Sequence, residues 1–149
     1  MSQNPCPYCD GPGGRVVWSD DLCRVLLIED APFAGLSRVA WNAHVRELSD
    51  LAEADRGHLM DVVAATEGAL RELLEPAKIN LAALGTAVPH LHWHVIPRYA
   101  DDSHYPEPIW AAARREGAPR GLPAGFAQTL GQQLDARLRP GRVMAGVTA

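Results

Sequence analysis

The 149-residue chain contains no apolar run near the roughly 20 residues that a membrane-spanning helix requires. It has only 3 cysteines, an odd number and too few for the disulfide framework of a small secreted domain. A chain of this length can bury a core without such staples. Basic residues are in deficit: 14 Lys and Arg against 18 Asp and Glu leave a net charge of −4. They are also scattered, which argues against non-specific nucleic-acid binding. Met1-Ser2-Gln3-Asn4-Pro5 lacks the pattern of a secretory signal, so the expected location is the cytoplasm. No internal repeat and no second globular domain are visible.

What is present reads as a short series of strands around one helix. Residues 1–14 are rich in Pro, Gly and Cys and form an irregular lead-in. Arg15–Trp18, Cys23–Glu29 and Ser37–Trp41 are strand-like, separated by Ser19-Asp20-Asp21 and by a turn from Asp30 to Gly35. These three predict an antiparallel meander. Asp50 is the expected N-cap of a helix, with Glu53 completing a capping box. Leu59, Val62, Val63, Thr66, Leu70, Leu73 and Leu74 then follow at helical spacing, and Pro76 ends the run. Lys78–Leu84 reads as a strand, Gly85–Pro89 as a turn and His90–Pro97 as a strand. Beyond Arg98 the chain is Pro-rich and irregular through Trp110; a last helix is predicted between about Pro123 and Arg139, with a mobile tail after Arg142. The order β-β-β-α-β-β predicts an α+β fold, a five-stranded antiparallel sheet with one main helix packed on it. Residues 1–110 are expected to form the domain and 111–149 a C-terminal extension.

Three of the 6 histidines fall at 90, 92 and 94. Alternate side chains of a strand share a face, so His90, His92 and His94 line up about 6.5–7 Å apart. Leu91, Trp93, Val95 and Ile96 supply the apolar surface opposite. A lone strand histidine is usually a satisfied structural residue; three in strict alternation after a turn point to chemistry. Two chemistries compete. Three imidazoles suit a metal, but the outer pair are about 13 Å apart along the strand, so at most two can share one ion. Neutral imidazole is also a nucleophile toward phosphorus, and a covalent intermediate divides one hard displacement into two easier ones.

His90-Leu91-His92-Trp93-His94-Val95-Ile96 resembles the signature of the histidine triad (HIT) family, and Pro97-Arg98 fits the same pattern. The resemblance runs from the cysteine lead-in to about Trp110, closest to a bacterial diadenosine tetraphosphate hydrolase-like branch. It implies a HIT-like fold and a nucleotide hydrolase acting on nucleoside or dinucleoside polyphosphates. His92 would then be the nucleophile that carries the nucleotidyl group. His94 would bond the phosphate and its developing charge, and the His90 carbonyl would set the His92 tautomer. Asn80 and Thr86 are the implied further phosphate contacts, and Asp30 or Glu29 would receive ribose hydroxyls. The chain departs from several relatives at Ala87, where they carry Ser or Thr, and at Leu36, where many carry His. A nucleotidyltransferase or phosphorylase would use the same intermediate, although such transferases often have Gln at the place of His94. A non-catalytic nucleotide-binding protein is the third reading. The family also implies a homodimer formed through the helix and its neighbouring strand.

Cys6 and Cys9 have the spacing of a zinc half-site. Some HIT relatives, and the related galactose-1-phosphate uridylyltransferases, resemble this chain in pairing two such cysteines with a histidine at the place of His44 and the first triad histidine, His90. The resemblance therefore implies a structural Zn2+ held by Cys6, Cys9, His44 and His90, closed to further ligands. Without it, the cysteines would be free on an irregular terminus. Cys23 reads as a small core residue, and His58 and His104 as surface residues.

Overall fold

A computed structural model describes residues 5–29 and 32–139. The expected ribose contact Asp30 and the expected mobile tail after Arg142 lie outside the described residues. The elements are β1 (Arg15–Ser19), β2 (Cys23–Leu27), β3 (Ser37–Trp41), α1 (Glu53–Leu74), β4 (Lys78–Ala82), β5 (His92–Arg98) and α2 (Phe126–Leu138). All strand pairs are antiparallel, in the order β1-β2-β3-β5-β4. The first three strands are the expected meander. Crossing over the sheet, α1 delivers β4 to the far edge, and β5 returns between β3 and β4.

The sheet has two unlike faces because its strands alternate. One presents Val25, Leu27, Val39 and Val95 to the buried side of α1, formed by Leu59, Val62, Val63, Thr66 and Leu70. The other carries Arg24, Arg38, His92, His94 and Arg98, as the strand register requires. The expected C-terminal helix is α2, which places Phe126, Leu130 and Leu134 in the same core as α1. Its close approach to β1 depends on Gly131, where a Cβ would sit 2.5 Å from the Val17 carbonyl oxygen. Among the described residues no helix is long and apolar enough to cross a membrane.

Several expected boundaries move. Asp50 does not cap α1; it ends a 3-10 turn over Leu48–Asp50. Leu51 is extended and buried, which pulls the chain into the core before the helix can start. Helix α1 therefore begins at Glu53 with Ala52 as N-cap and no side-chain cap, so the Asp50–Glu53 capping box is absent. Glu53 and Asp55 instead place negative charge beside the exposed amides of the first turn. Strand β2 ends at Leu27, β4 ends at Ala82, and β5 starts at His92 rather than His90. His90 and Leu91 precede the ladder because their partner chain turns away after Trp41. Leu91 accepts from the Trp41 amide but donates to the Val45 carbonyl.

Candidate functional site

His92 sits in the middle of the sheet, with its neighbour Ala40 on β3 directly across. Its ring Nδ1–H donates to the His90 carbonyl at 2.6 Å. That bond fixes the tautomer and leaves the Nε2 lone pair unprotonated and outward. The His92 and His94 rings meet edge to face with centroids 5.0 Å apart, closer than the backbone repeat alone implies. Both side chains are buried, at 7% exposure. Burial lowers the affinity of His92 for a proton; the His90 carbonyl opposes this, while the Arg38 and His90 charges reinforce it. Burial, with His92 and Arg38 beside it, pushes His94 down to about 4. Two neutral imidazoles at neutral pH result, one with a free lone pair and the other with an Nδ1 that is buried and without a partner.

Three side chains that no sequence motif singles out surround this pair. The Tyr8 ring lies 4.8 Å from the His92 ring and 5.2 Å from the His90 ring. Arg38 on β3 stands directly opposite His94, and its Nη1 donates to the Tyr8 hydroxyl at 3.3 Å. Trp110 meets the edge of His94 at 5.1 Å between centroids. Strand alternation could have placed Arg38 on the histidine face, but only with the β3–β5 register in hand.

His90 is turned away from this pair. Its Nε2–H donates to the Trp41 carbonyl at 2.6 Å, so Nδ1 is left as an acceptor. That atom lies 3.4 Å from Cys6 Sγ and 3.5 Å from Cys9 Sγ. His44 Nδ1 lies 3.3 Å from Cys9 Sγ. All four ligand atoms fall within 4.8 Å of one another, a cluster that can hold a metal ion. A tetrahedral ion with bonds of about 2.3 Å to sulfur and 2.0–2.1 Å to nitrogen separates neighbouring S and N atoms by about 3.5 Å, so the spacing fits. The His44 and His90 rings are perpendicular, as two ligands of one centre can be.

The remaining sequence expectations fall in different places. Asn80 lies on β4, and its Oδ1 accepts from Arg98 Nη1 at 2.7 Å. Thr86 and Ala87 are exposed in the turn before His90. Glu29 pairs with Arg15 at 2.6 Å. Cys23 is fully buried, and burial with the nearby Asp20 charge pushes its thiol up to about 12. His58 and His104 are not plain surface residues. His58 Nε2–H donates to Asp20 Oδ2 at 2.6 Å, tying α1 to the β1–β2 turn. His104 accepts from the Ser103 hydroxyl at 2.7 Å and packs its ring against Phe33.

Comparison with known proteins points to one family. The HIT domain model matches residues 13–101. A histidine triad protein from Bradyrhizobium japonicum is 29% identical over 83% of this chain and 90% of that one, with a TM-score of 0.66. A histidine triad protein from Marinobacter aquaeolei is 28% identical over 81% of this chain and 88% of that one, with a TM-score of 0.67. A zinc-bound histidine triad family protein from Mycobacterium smegmatis shares the fold at 22% identity, over 89% and 91% of the two chains, with a TM-score of 0.56. No curated protein matches the chain.

Proposed function

Because the chain belongs to the HIT domain family, we propose that it hydrolyses nucleoside or dinucleoside polyphosphates through a nucleotidyl group carried on His92. The observation that carries this reading is the bond from His92 Nδ1–H to the His90 carbonyl. It leaves Nε2 as a lone pair aimed off the sheet, and burial keeps that ring neutral. In the first step Nε2 bonds to phosphorus and the phosphorus–oxygen bond to the leaving group breaks. His94 stabilises the charge that develops on the phosphoryl oxygens. In the second step water adds to phosphorus, the phosphorus–nitrogen bond breaks, His92 leaves as neutral imidazole, and the water proton passes to solvent.

Ala87, which has no hydroxyl, bears on the substrate. A polyphosphate departs as a stable anion and needs no acid, whereas an amine leaving group does. The residues therefore favour an anhydride substrate of the diadenosine tetraphosphate type. Asn80 and Thr86 remain proposed phosphate contacts, Asn80 through its amide nitrogen because its oxygen is held by Arg98.

We propose that the metal cluster holds a structural Zn2+ through Cys6 Sγ, Cys9 Sγ, His44 Nδ1 and His90 Nδ1. Four protein ligands close the coordination shell, so the ion would stabilise the lead-in and hold His90 rather than act on substrate. In the cytoplasm, the expected location, both thiols stay reduced and available. A homodimer is proposed through α1 and the β4 edge, where Leu81 and Leu84 are exposed at 40% and 55%. The substrate reading is tested by turnover of diadenosine tetraphosphate, whose leaving group is ATP, with and without inorganic phosphate. Water as acceptor gives nucleoside monophosphate in both cases. Transfer to phosphate gives nucleoside diphosphate only when phosphate is added, and would replace hydrolysis by a phosphorylase reaction.

A further inference from the structure

Three arginines stand on the histidine face of the sheet, and two are fully committed. Arg24 donates to the carbonyls of Pro12 and Tyr8 and to Asn42 Oδ1. Arg98 is buried and donates to both oxygens of Asp102 and to Asn80. Arg38 differs. Its one hydrogen bond among the described residues goes to the neutral Tyr8 hydroxyl, and its Nε is buried without a partner there. Among the described residues no carboxylate pairs with it. Arg38 is half-buried, and holding part of a cation out of water without a counter-charge carries a cost that a bound anion would offset.

The surroundings say where that anion lies. Arg38 is the direct cross-strand partner of His94, which sets the two Cβ atoms about 4.5–5.5 Å apart. On its other side Arg38 borders a groove of about 540 Å³ between Gly13–Arg15 and Leu27–Glu29. The acidic side chain among the described residues that line it, Glu29, is already paired with Arg15. Gly13 keeps one wall as bare backbone: its φ is +83°, and a Cβ there would lie 2.5 Å from the Tyr8 ring.

We propose that Arg38 contacts the substrate directly, its guanidinium donating to a non-bridging oxygen of the phosphoryl group that His92 attacks. This rests on the nucleotidyl-histidine reading above and adds to it a positively charged partner for His94. Arg38 moves no proton; it neutralises the phosphoryl charge, through charge-assisted hydrogen bonds, while the nitrogen–phosphorus bond forms. The nucleoside then extends from Arg38 into the groove.

The test compares the binding of AMP and of adenosine to full-length, metal-loaded protein by titration calorimetry. Arg38→Leu is expected to weaken AMP binding about 10–100-fold, as loss of a hydrogen bond to a charged group does, and to leave adenosine binding unchanged. Arg38→Lys should recover part of the AMP affinity. Tyr8→Phe removes the one bond Arg38 makes and should weaken AMP binding less than Arg38→Leu does. Equal losses for AMP and adenosine would overturn the assignment, because Arg38 would then shape the pocket rather than hold an anion. So would a Tyr8→Phe variant as weak as Arg38→Leu, or an unaltered protein that binds AMP no better than adenosine. If instead Arg38→Leu loses AMP selectively while His92→Asn retains full turnover, the anion site stands and the nucleotidyl-histidine reading falls.

Discussion

The two ends of the histidine face differ in how much of each ring is already committed. At the sulfur end, His90 uses one nitrogen on the Trp41 carbonyl and turns the other to Cys6 and Cys9. At the other end, where bonding to phosphorus is proposed, His92 uses one nitrogen on the His90 carbonyl and keeps the other free, and His94 has a buried nitrogen with no partner among the described residues. Full commitment makes a strut; partial commitment makes a reagent. The backbone carbonyl of His90 joins the two, because a residue of the candidate metal cluster also sets the tautomer of His92, the proposed nucleophile.

The largest effect should come from the phosphorus end. His92→Asn is expected to lower turnover by a factor on the order of 10³ or more while leaving the thermal midpoint and the metal content unchanged. Steady-state rates, calorimetry and elemental analysis together check that pattern. At the sulfur end the pattern should invert. Elemental analysis of protein purified without chelator should find about one zinc per chain, and His44→Ala or Cys9→Ser should lose it and lower the thermal midpoint. If those variants kept both metal and midpoint, the strut role of His90 would be gone.

A third region sharpens the comparison because its hydrogen bonds go neither to the sulfur cluster nor to the His92 and His94 rings. Arg98 is 1% exposed and Asp102 12%, and they pair at 2.8 Å. Asp102 also accepts from the backbone amides of Tyr99, His104 and Tyr105. Asp102→Asn should cost about 3–5 kcal/mol by leaving Arg98 buried without its counter-charge, with no loss of zinc. Burial pushes the Asp102 carboxyl up, but Arg98 and the three amides more than reverse it and hold it at about 2. Its folded pKa is thus below its unfolded one, so the associated stability is present above about pH 4 and fades as pH falls toward 2. That share is about 2 kcal/mol, and denaturant midpoints across this range should lose it in Asp102→Asn. The smallest perturbation is protonation of His94 itself. Its ring should stay neutral on acidification until about pH 4, as nitrogen chemical shifts can follow. Titration near the ordinary value of about 6.5 would mean that the phosphorus end is more open to water than the geometry shows.

Much of this was legible in the sequence, and the illegible parts have physical reasons. Alternation placed His92 and His94 on one face, and the Cys6–Cys9 spacing with His44 and His90 anticipated a cluster that the fold does assemble. The five-strand, α+β arrangement followed from apolar periodicity and turn residues. The start of α1 did not, because burial of Leu51 outweighs the local capping preference of Asp50. Tyr8 and Trp110 were invisible as site residues because long-range packing brings them there. Tyr8 sits between the two cysteines, and Trp110 follows a segment whose start is tied to Asp102. The role of Asn80 toward Arg98 likewise depends on the β4–β5 register.

The central claim is that His92 forms a bond to phosphorus, and one measurement addresses it directly. Protein mixed with a diadenosine polyphosphate, quenched during turnover and analysed by intact and fragment mass spectrometry should carry one nucleotidyl group on His92, absent from His92→Asn. Rapid turnover with no adduct at any time after mixing, or an adduct on another residue, would contradict the account.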